Sequence, residues 1–191
     1  MKAVRVNHKK GERPPIHLTV RRVEPSVWHL FKEHHYLSAE LNKSCKCLLF
    51  EWNGVPIAFV AVINTPRNRM PYAMEISRMV VLPDFQGLGL STMIFNFVGG
   101  IVKSLSTEDR EYRLFIKTAH RKFGEALSKN PLVRSTTFDK KEFKHPFDKK
   151  YRNRLTRKSY CKEYIGPKID GYQHLLKPIS EMRKEKKVEE D

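Results

Sequence analysis

The chain has 191 residues, 40% of them hydrophobic and 10% aromatic, which is enough for one full core and too little for two. Its 37 Lys and Arg outnumber its 21 Asp and Glu, and the net charge of +16 points to anionic partners. No apolar run approaches the roughly 20 residues that cross a bilayer, and Met1 leads into charged residues without a signal-peptide core, so we expect a cytoplasmic protein without membrane contact.

The two ends of the chain are expected to lie outside the folded domain. Residues 1–15 mix Lys and Arg with Gly and Pro and predict a flexible basic arm. Residues 177–191 are mostly charged and predict a charged tail. One domain over 16–176 lies between them, because no internal repeat or linker divides that stretch.

The first half of the domain predicts a strand, a helix and a hairpin. Apolar and polar residues alternate with period two at 16–23, as in a half-buried strand. Ser26 is a suitable N-cap for a helix that continues to about His34 and packs on the sheet. Asn53-Gly54 is the strongest short hairpin signal, and it separates two apolar runs, at 47–52 and 55–63.

The second half predicts alternating strands and helices. A loop over 64–71 precedes a fourth strand at 73–82, which Pro83 ends. A helix at 90–103 follows a glycine turn, and the pair Gly99-Gly100 is expected to weaken it. Its predicted inner face consists of Met93, Ile94, Phe97, Val98 and Ile101. The remaining elements are a strand at 113–118, a helix at 121–129 and an antiparallel pair at 132–140 and 154–164.

Three cysteines, Cys45, Cys47 and Cys161, cannot all form disulfides with one another. Cys45 and Cys47 are expected on the same face of one strand. A zinc site would need a Cys-x-x-Cys spacing and a second pair of ligands, which the sequence lacks. We therefore expect buried or half-buried thiols and no metal.

The most informative stretch is 76–91, which runs from a buried strand through a glycine turn into an apolar helix. Gly87 and Gly89 let the backbone approach a ligand, and the free amides of the helix start favour an anion. A phosphate ligand is therefore the first hypothesis. A dinucleotide-binding turn is disfavoured by Thr92 in place of a third glycine, and a joint that merely needs flexible residues stays open.

Gln86, Gly89 and Ser91 resemble the signature of the GNAT N-acyltransferase superfamily, Gln/Arg-x-x-Gly-x-Gly/Ala after the fourth strand. Ser91 departs from the usual Gly or Ala but is also small. The resemblance extends over 16–166. It implies an α/β (α+β) fold, a single GNAT-like domain whose central mixed, mostly antiparallel sheet of about seven strands is flanked by helices.

The same resemblance implies acetyl-CoA (coenzyme A) as the cofactor and a set of residues that hold it. Backbone amides of the turn would bind the pyrophosphate, and the preceding strand would pair with the pantetheine arm. The turn residues are Gln86, Gly87, Leu88, Gly89, Leu90 and Ser91, and the strand residues are Met79, Val80 and Val81.

Further stretches are similar to a narrower branch of GNAT proteins, found in prokaryotic mobile elements and sometimes fused to an ABC-type ATPase, which this chain does not contain. They are 34–38, 59–62, 151–156 and 164–166. Residues 75–79 together with His35-Tyr36 also resemble the phage Mom proteins, which modify adenine in DNA. Mom proteins lack an intact Gln-Gly-x-Gly turn, so its presence here favours ordinary coenzyme A use.

Acyl transfer to an amine needs a base for the amine and a proton for the departing thiolate. Glu75 lies eleven residues before Gln86, the same offset as the glutamate base of the histone-acetyltransferase branch. An ion pair with Arg78, or with an arginine of the 64–71 loop, is the alternative for Glu75. His35 is a second candidate base, and its alternative is to complement a helix dipole.

Four further side chains are weaker candidates for the chemistry. Arg78 resembles the Mom arginine, unless it pairs structurally. Tyr160 or Tyr164 would supply the thiolate's proton, and His120 at the end of the fifth strand is a third proton-transfer candidate.

A basic segment lies near the end of the domain. Ten Lys or Arg residues fall between Lys140 and Lys162, against two acidic residues, with aromatic residues interleaved. This pattern suits a nucleic-acid backbone with exposed bases, and a solvated surface is the alternative. The candidate contacts are Lys149, Lys150, Arg152, Arg154, Arg157 and Lys158.

The resemblance therefore implies an acyl-CoA N-acyltransferase, with acetyl-CoA as the donor and direct transfer to an amine. No cysteine nucleophile stands beside a paired base. The acceptor stays open between a nucleobase or nucleic acid, a small amine and a protein amine. The alternatives are a Mom-like DNA modification protein and an inactive nucleic-acid-binding accessory on the same fold.

Overall fold

The computed structural model describes residues 16–35, 40–141 and 159–176. The predicted arm at 1–15 and tail at 177–191 lie outside these residues. The strands are β1 (Leu18–Val23), β2 (Lys46–Trp52), β3 (Val55–Asn64), β4 (Ala73–Val81), β5 (Arg113–Thr118), β6 (Val133–Ser135) and β7 (Tyr160–Tyr164). The helices are α1 (Leu90–Ser104) and α2 (Arg121–Ser128).

The seven strands form one sheet in the order β1-β2-β3-β4-β5-β7-β6. β4 and β5 run parallel, whereas β1 and β2, β2 and β3, β5 and β7, and β6 and β7 run antiparallel. The parallel pair needs a crossover connection, and α1 supplies it. The predicted mixed, mostly antiparallel sheet of about seven strands is confirmed.

The chain divides into two compact units, and the divisions fall within β3 and β4 and after Leu88 and Gln173. The first unit contains 16–62 apart from 36–39, then Arg78–Leu88 and 174–176, and the second contains Ile63–Ser77 and the described part of Gly89–Gln173. No helix among the described residues has the length and apolar character needed to span a membrane.

The hairpin of β2 and β3 forms the centre of the first unit. Asn53 and Gly54 at its tip both have positive φ, 51° and 78°, as a two-residue turn of this kind requires. Leu48 and Val60 are register partners, and both are fully buried. The predicted hairpin is confirmed.

The predicted helix from Ser26 to His34 is wrong. Two 3-10 turns, Pro25–Leu30 and Lys32–His34, occupy this stretch, and the N-cap is Glu24, without a side-chain capping hydrogen bond. Trp28 and Phe31 both pack on Phe59, with ring centroids 5.4 and 5.5 Å away. Because a 3-10 turn brings residues three apart onto one side, this geometry lets both rings reach the same partner.

The glycine pair in α1 allows close packing in the second unit, which corrects the prediction of a weak point. A Cβ at Gly99 would lie 2.3 Å from Cγ of Tyr164, and a Cβ at Gly100 would lie 2.5 Å from Cγ1 of Ile169. The backbone N–H of Ile169 also donates to the carbonyl of Gly100, at 3.0 Å. Both glycines are therefore required by the chain that packs against the helix.

The inner face of α1 is wider than predicted. Ile94, Val98 and Ile101 are buried as expected, but Met93 and Phe97 are only half-buried. Leu90, Phe95 and Val102 are buried in addition. The reason is that α1 packs against α2 as well as against β5 and β7, so two sides of the helix are covered.

The predicted fifth strand and second helix are confirmed at β5 and α2. The final antiparallel pair is shorter than predicted, because the described strands are β6 and β7, and 142–158 lies outside the described residues. Lys162 in β7 is 1% exposed, and its Nζ lies 2.7 Å from Oδ2 of Asp139 and from Oγ of Ser135. Lys162 therefore belongs to the core and not to the basic surface in which the sequence places it.

Candidate coenzyme and acceptor site

The end of β4 is fixed by three hydrogen bonds. The N–H of Leu82 donates to the carbonyl of Ile57 at 2.9 Å, and the N–H of Gln86 closes a 3-10 turn on Pro83 at 3.1 Å. Nε2 of Gln86 donates to the carbonyl of Val81, also at 2.9 Å. The side chain of the signature glutamine therefore holds the start of the turn.

Gly87 and Gly89 both adopt left-handed backbone conformations, with φ of 82° and 79°. No atom lies within 4 Å of the position that a Cβ would take at either residue. The glycines are therefore required by the backbone conformation, and the space beside them is open. The open space leaves room for the predicted anion, and binding of an anion there stays a prediction.

The N-terminus of α1 directly follows this turn in the chain and presents unpaired helical amides. Gly89 is the N-cap and has no side chain that could cap the helix. The first intrahelical bond runs from the N–H of Met93 to the carbonyl of Gly89, so the amides of Leu90, Ser91 and Thr92 precede it. These amides and the helix dipole fit the pyrophosphate of coenzyme A.

The strand residues predicted to bind the pantetheine arm lie beyond the pairing of β4 with β5. That parallel register covers Ala73 to Ile76 on β4 and does not include Met79, Val80 or Val81. Met79 is half-buried, whereas Val80 and Val81 are buried. Their contact with the coenzyme stays a prediction.

Glu75 forms an ion pair with an arginine of the 64–71 loop, which is one of its two expected alternatives. Its Oε2 lies 3.2 Å from Nη2 of Arg67, and its side chain is 26% exposed. The loop that carries Arg67 is closed by paired backbone hydrogen bonds between Arg67 and Met70, of 3.1 and 2.9 Å. A role for Glu75 as the base stays a prediction, and the carboxylate is accessible enough to have one.

His35 and Arg78 both lie in the first unit. The backbone N–H of His35 donates to the carbonyl of Lys32, and its ring meets Trp28 edge-on at 5.5 Å. His35 therefore follows a 3-10 turn and does not end an α-helix. Nη2 of Arg78 donates to the carbonyl of Glu40 at 3.4 Å. Tyr36, expected beside His35, lies outside the described residues.

The remaining proton-transfer candidates have structural partners. The hydroxyl of Tyr164 donates to the carbonyl of Pro167 at 2.9 Å, and burial raises its pKa, so it is a poor source of a proton. Nδ1 of His120 accepts the N–H of Phe123 at 3.2 Å and so caps α2. The ring of Tyr160 packs on Gly124, and its role as an acid stays a prediction.

The cysteines are free and buried, as predicted. Burial first, and then the neighbouring Cys45, raise the pKa of Cys47 to about 12. Its thiol is therefore protonated at neutral pH and is no nucleophile. Within the part of the chain that the structure describes, no group of three or more His, Cys, Asp or Glu side chains could hold a metal ion.

The predicted nucleic-acid contacts lie outside the described residues. They are Lys149, Lys150, Arg152, Arg154, Arg157 and Lys158. The ion pairs that Glu163 makes with Arg113 and Arg134 on neighbouring strands were not predicted from the sequence. These contacts depend on strand order and register, which no local pattern of residues reveals.

Comparison with solved structures supports the fold. The ribosomal-protein-S18-alanine N-acetyltransferase of Escherichia coli has 13% identity and a TM-score of 0.54, with 81% of this chain and 97% of that chain covered. An IAA acetyltransferase from Bacillus cereus has 16% identity and a TM-score of 0.51, with 77% and 97% covered. The Naa50 protein of Arabidopsis thaliana, solved with a bisubstrate analogue of coenzyme A, has 12% identity and a TM-score of 0.51, with 76% and 97% covered.

A search of curated protein sequences gives no match. The model of the acetyltransferase (GNAT) family matches residues 16–121, which is more than half of the chain. That match includes the glycine turn and the start of α1, and it confirms the predicted enzyme class, with acetyl-CoA as its cofactor. The chain belongs to the acetyltransferase (GNAT) family.

Proposed function

We propose that the protein is an acetyl-CoA-dependent N-acyltransferase that transfers the acyl group directly to an amine. The observation that carries this proposal is the start of α1, where two left-handed glycines precede three amides without intrahelical acceptors. In a member of the acetyltransferase family, this arrangement suits the pyrophosphate of the coenzyme. The coenzyme supplies an acyl group activated as a thioester.

The turn from Gln86 to Ser91 would hold the coenzyme by backbone amides, and Gln86 would keep the turn in shape through its bond to Val81. Met79, Val80 and Val81 would lie along the pantetheine arm. Direct transfer is favoured over a covalent cysteine step, because the described thiols are buried and the pKa of Cys47 is raised to about 12.

Glu75 is the favoured base. It is partly exposed, and Arg67 holds its carboxylate at one oxygen, so the other oxygen can accept a proton from the amine. His35 is the second candidate, and Arg78 and Tyr160 complete the proposed catalytic set.

For the acceptor we favour an amine on a nucleobase or nucleic acid. Support comes from the sequence, in which half of the +16 net charge falls between Lys140 and Lys162, and from the resemblance to the mobile-element branch and to Mom proteins. A small amine and a protein amine are the competing acceptors. An accessory that binds nucleic acid without chemistry is the competing function.

Two measurements test the proposal. Calorimetry with acetyl-CoA tests the coenzyme site, and absence of binding would refute it. Release of free thiol is then followed with oligonucleotides, peptides and small amines as acceptors. Thiol release with oligonucleotides would support a nucleic-acid acceptor. Thiol release only with peptides or only with small amines would identify that class as the acceptor instead. Salt-sensitive oligonucleotide binding without acetyl-CoA binding would make the protein an accessory.

A further inference from the structure

Four side chains form a row across the last four strands of the sheet. Glu75 on β4 is the register partner of Phe115 on β5, and Phe115 is the partner of Glu163 on β7. Glu163 is in turn the partner of Arg134 on β6. Directly paired residues of neighbouring strands point to the same face, so the row crosses all four strands on one face.

This face is the one turned away from the helices of the second unit. Side chains alternate along β7, so Tyr160 and Tyr164 point to the side opposite Glu163. Tyr160 packs against Gly124 of α2, and Tyr164 packs against Gly99 of α1. The row therefore lies on a sheet face that α1 and α2 leave uncovered.

Two arginines complete the row by covering its aromatic ring. The guanidinium carbons of Arg67 and Arg113 lie 4.9 and 5.4 Å from the centre of the Phe115 ring. Arg67 pairs with Glu75, and Arg113 pairs with Glu163. We call Glu75, Phe115, Glu163, Arg134, Arg67 and Arg113 the charged row.

The charged row has three arginines and two glutamates, so its own members carry one surplus positive charge, and Glu111 outside the row also acts on Arg134. Oε1 of Glu163 accepts two bonds from Arg113, of 2.7 Å to Nε and 2.6 Å to Nη2. Oε2 accepts one bond from Nη2 of Arg134, at 2.8 Å. Both contacts of Arg113 are made to one carboxylate oxygen, and the charge of Arg113 alone balances that of Glu163 before Arg134 is counted.

Arg134 is also the most accessible of the three arginines. Its side chain is 58% exposed, against 41% for Arg67 and 25% for Arg113. A guanidinium has five N–H donors in a planar fork that matches phosphate and carboxylate. The surplus charge of the row therefore lies at the end farthest along the sheet from Glu75.

We propose that the charged row binds the acceptor, with its amine at Glu75 and an anionic group, phosphate or carboxylate, at Arg134. This inference rests on the proposed function and narrows the acceptor to an amine that carries its own anion. Glu75 and Arg134 are three strand spacings apart, about 14 Å at the backbone. The two groups therefore belong to one small molecule or one nucleotide, and not to distant points of a polymer.

The test compares ligands that differ only in the anion. Calorimetry on the full-length protein uses adenosine 5′-monophosphate against adenosine, and L-lysine against L-lysine amide. The anionic member of one pair should bind at least about tenfold more tightly, since a charge-assisted bond contributes on that scale. The pair that shows the preference identifies the anion as phosphate or carboxylate.

Arg134→Ala should abolish this preference, and Arg134→Lys should retain part of it. Arg121→Ala is the matched control, because Arg121 belongs to the same unit, is 84% exposed and pairs with Glu125 outside the row. Thermal melting confirms that each variant is folded. The inference is overturned if neither pair shows a preference, if the preference survives in Arg134→Ala, or if Arg121→Ala removes it equally. Acetyl-CoA binding, measured separately, reports on the proposed function itself.

Discussion

Replacing Gly89 by Glu and by Ala separates the coenzyme site from the stability of the fold. Gly89 has a φ of 79°, so any L residue there is strained by about 1–2 kcal/mol, although a Cβ would meet no atom within 4 Å. A glutamate at this N-cap regains about 0.3–1 kcal/mol from the helix dipole. Gly89→Glu should therefore be at least as stable as Gly89→Ala.

Binding of acetyl-CoA should change in the opposite order. The added carboxylate would stand in the open cradle beside the amides of α1 and repel the pyrophosphate. Two unit charges about 5 Å apart, at an effective dielectric constant of about 20, repel by about 3 kcal/mol, which is roughly a hundredfold in affinity. Calorimetry measures affinity and thermal melting measures stability. Equal affinities of Gly89→Glu and Gly89→Ala would refute the assignment of the pyrophosphate site.

Three further predictions concern the base, the buried ion pair and the helix glycines. Glu75→Gln or His35→Ala, whichever removes the true base, should lower turnover about 10²–10⁴-fold and leave the acetyl-CoA affinity measured by calorimetry unchanged. Near-normal turnover in both variants would exclude both residues as the base. Lys162→Met should destabilise the protein by about 3–5 kcal/mol in chemical denaturation, because it leaves Asp139 buried without its cation, and the added replacement Asp139→Leu should recover part of the loss. Burial raises the pKa of Asp139, but hydrogen bonds from Lys162, Ser135 and the N–H of Cys161 lower it by more, so that the pKa is lowered overall. The stability that the Asp139 carboxylate contributes should therefore be complete above about pH 5 and be lost as the pH falls below about 4. Asp139→Asn should not show this loss. Gly99→Ala should lower the melting temperature, because its Cβ would lie 2.3 Å from the Tyr164 ring, whereas a higher melting temperature would restore the view of Gly99 as a weak point.

Local patterns predicted the elements that local forces decide. The Asn53-Gly54 turn and the alternation of β1 follow from residue types and spacing alone. Local patterns did not predict the 3-10 turns before His35, because these turns are stabilised by contacts of Trp28 and Phe31 with Phe59, a distant residue on β3. The prediction that Gly99 weakens α1 is wrong for the same reason, since the residue that packs on it, Tyr164, lies 65 positions later in the chain.

The candidate site likewise has a part that a continuous stretch of sequence predicts and a part that depends on how distant strands pair. The glycine turn is a continuous stretch, so its sequence was enough to suggest a pyrophosphate ligand. The surroundings of Glu75 were only partly predictable, because an ion pair with a loop arginine was one of two alternatives and Phe115 comes beside Glu75 only through the register of β4 with β5. The charged row needs the order of four strands, which composition and spacing do not contain.

The two proposed anion contacts of this protein differ in how salt should affect them. Six phosphate contacts along 149–158 would give a log–log slope of about −4 to −5 with salt, at about −0.7 to −0.9 per contact. Adenosine 5′-monophosphate has no condensed counterion atmosphere to release, so its binding at Arg134 should respond to salt only through ordinary screening and much more weakly. Reversing the charges of Lys149 and Lys150 should therefore make oligonucleotide binding less dependent on salt and leave the preference for adenosine 5′-monophosphate over adenosine intact. Arg134→Ala should remove that preference and leave the salt dependence of oligonucleotide binding unchanged. If both changes weakened both ligands equally, the charge of the whole protein, and neither proposed contact, would account for its affinity for anions.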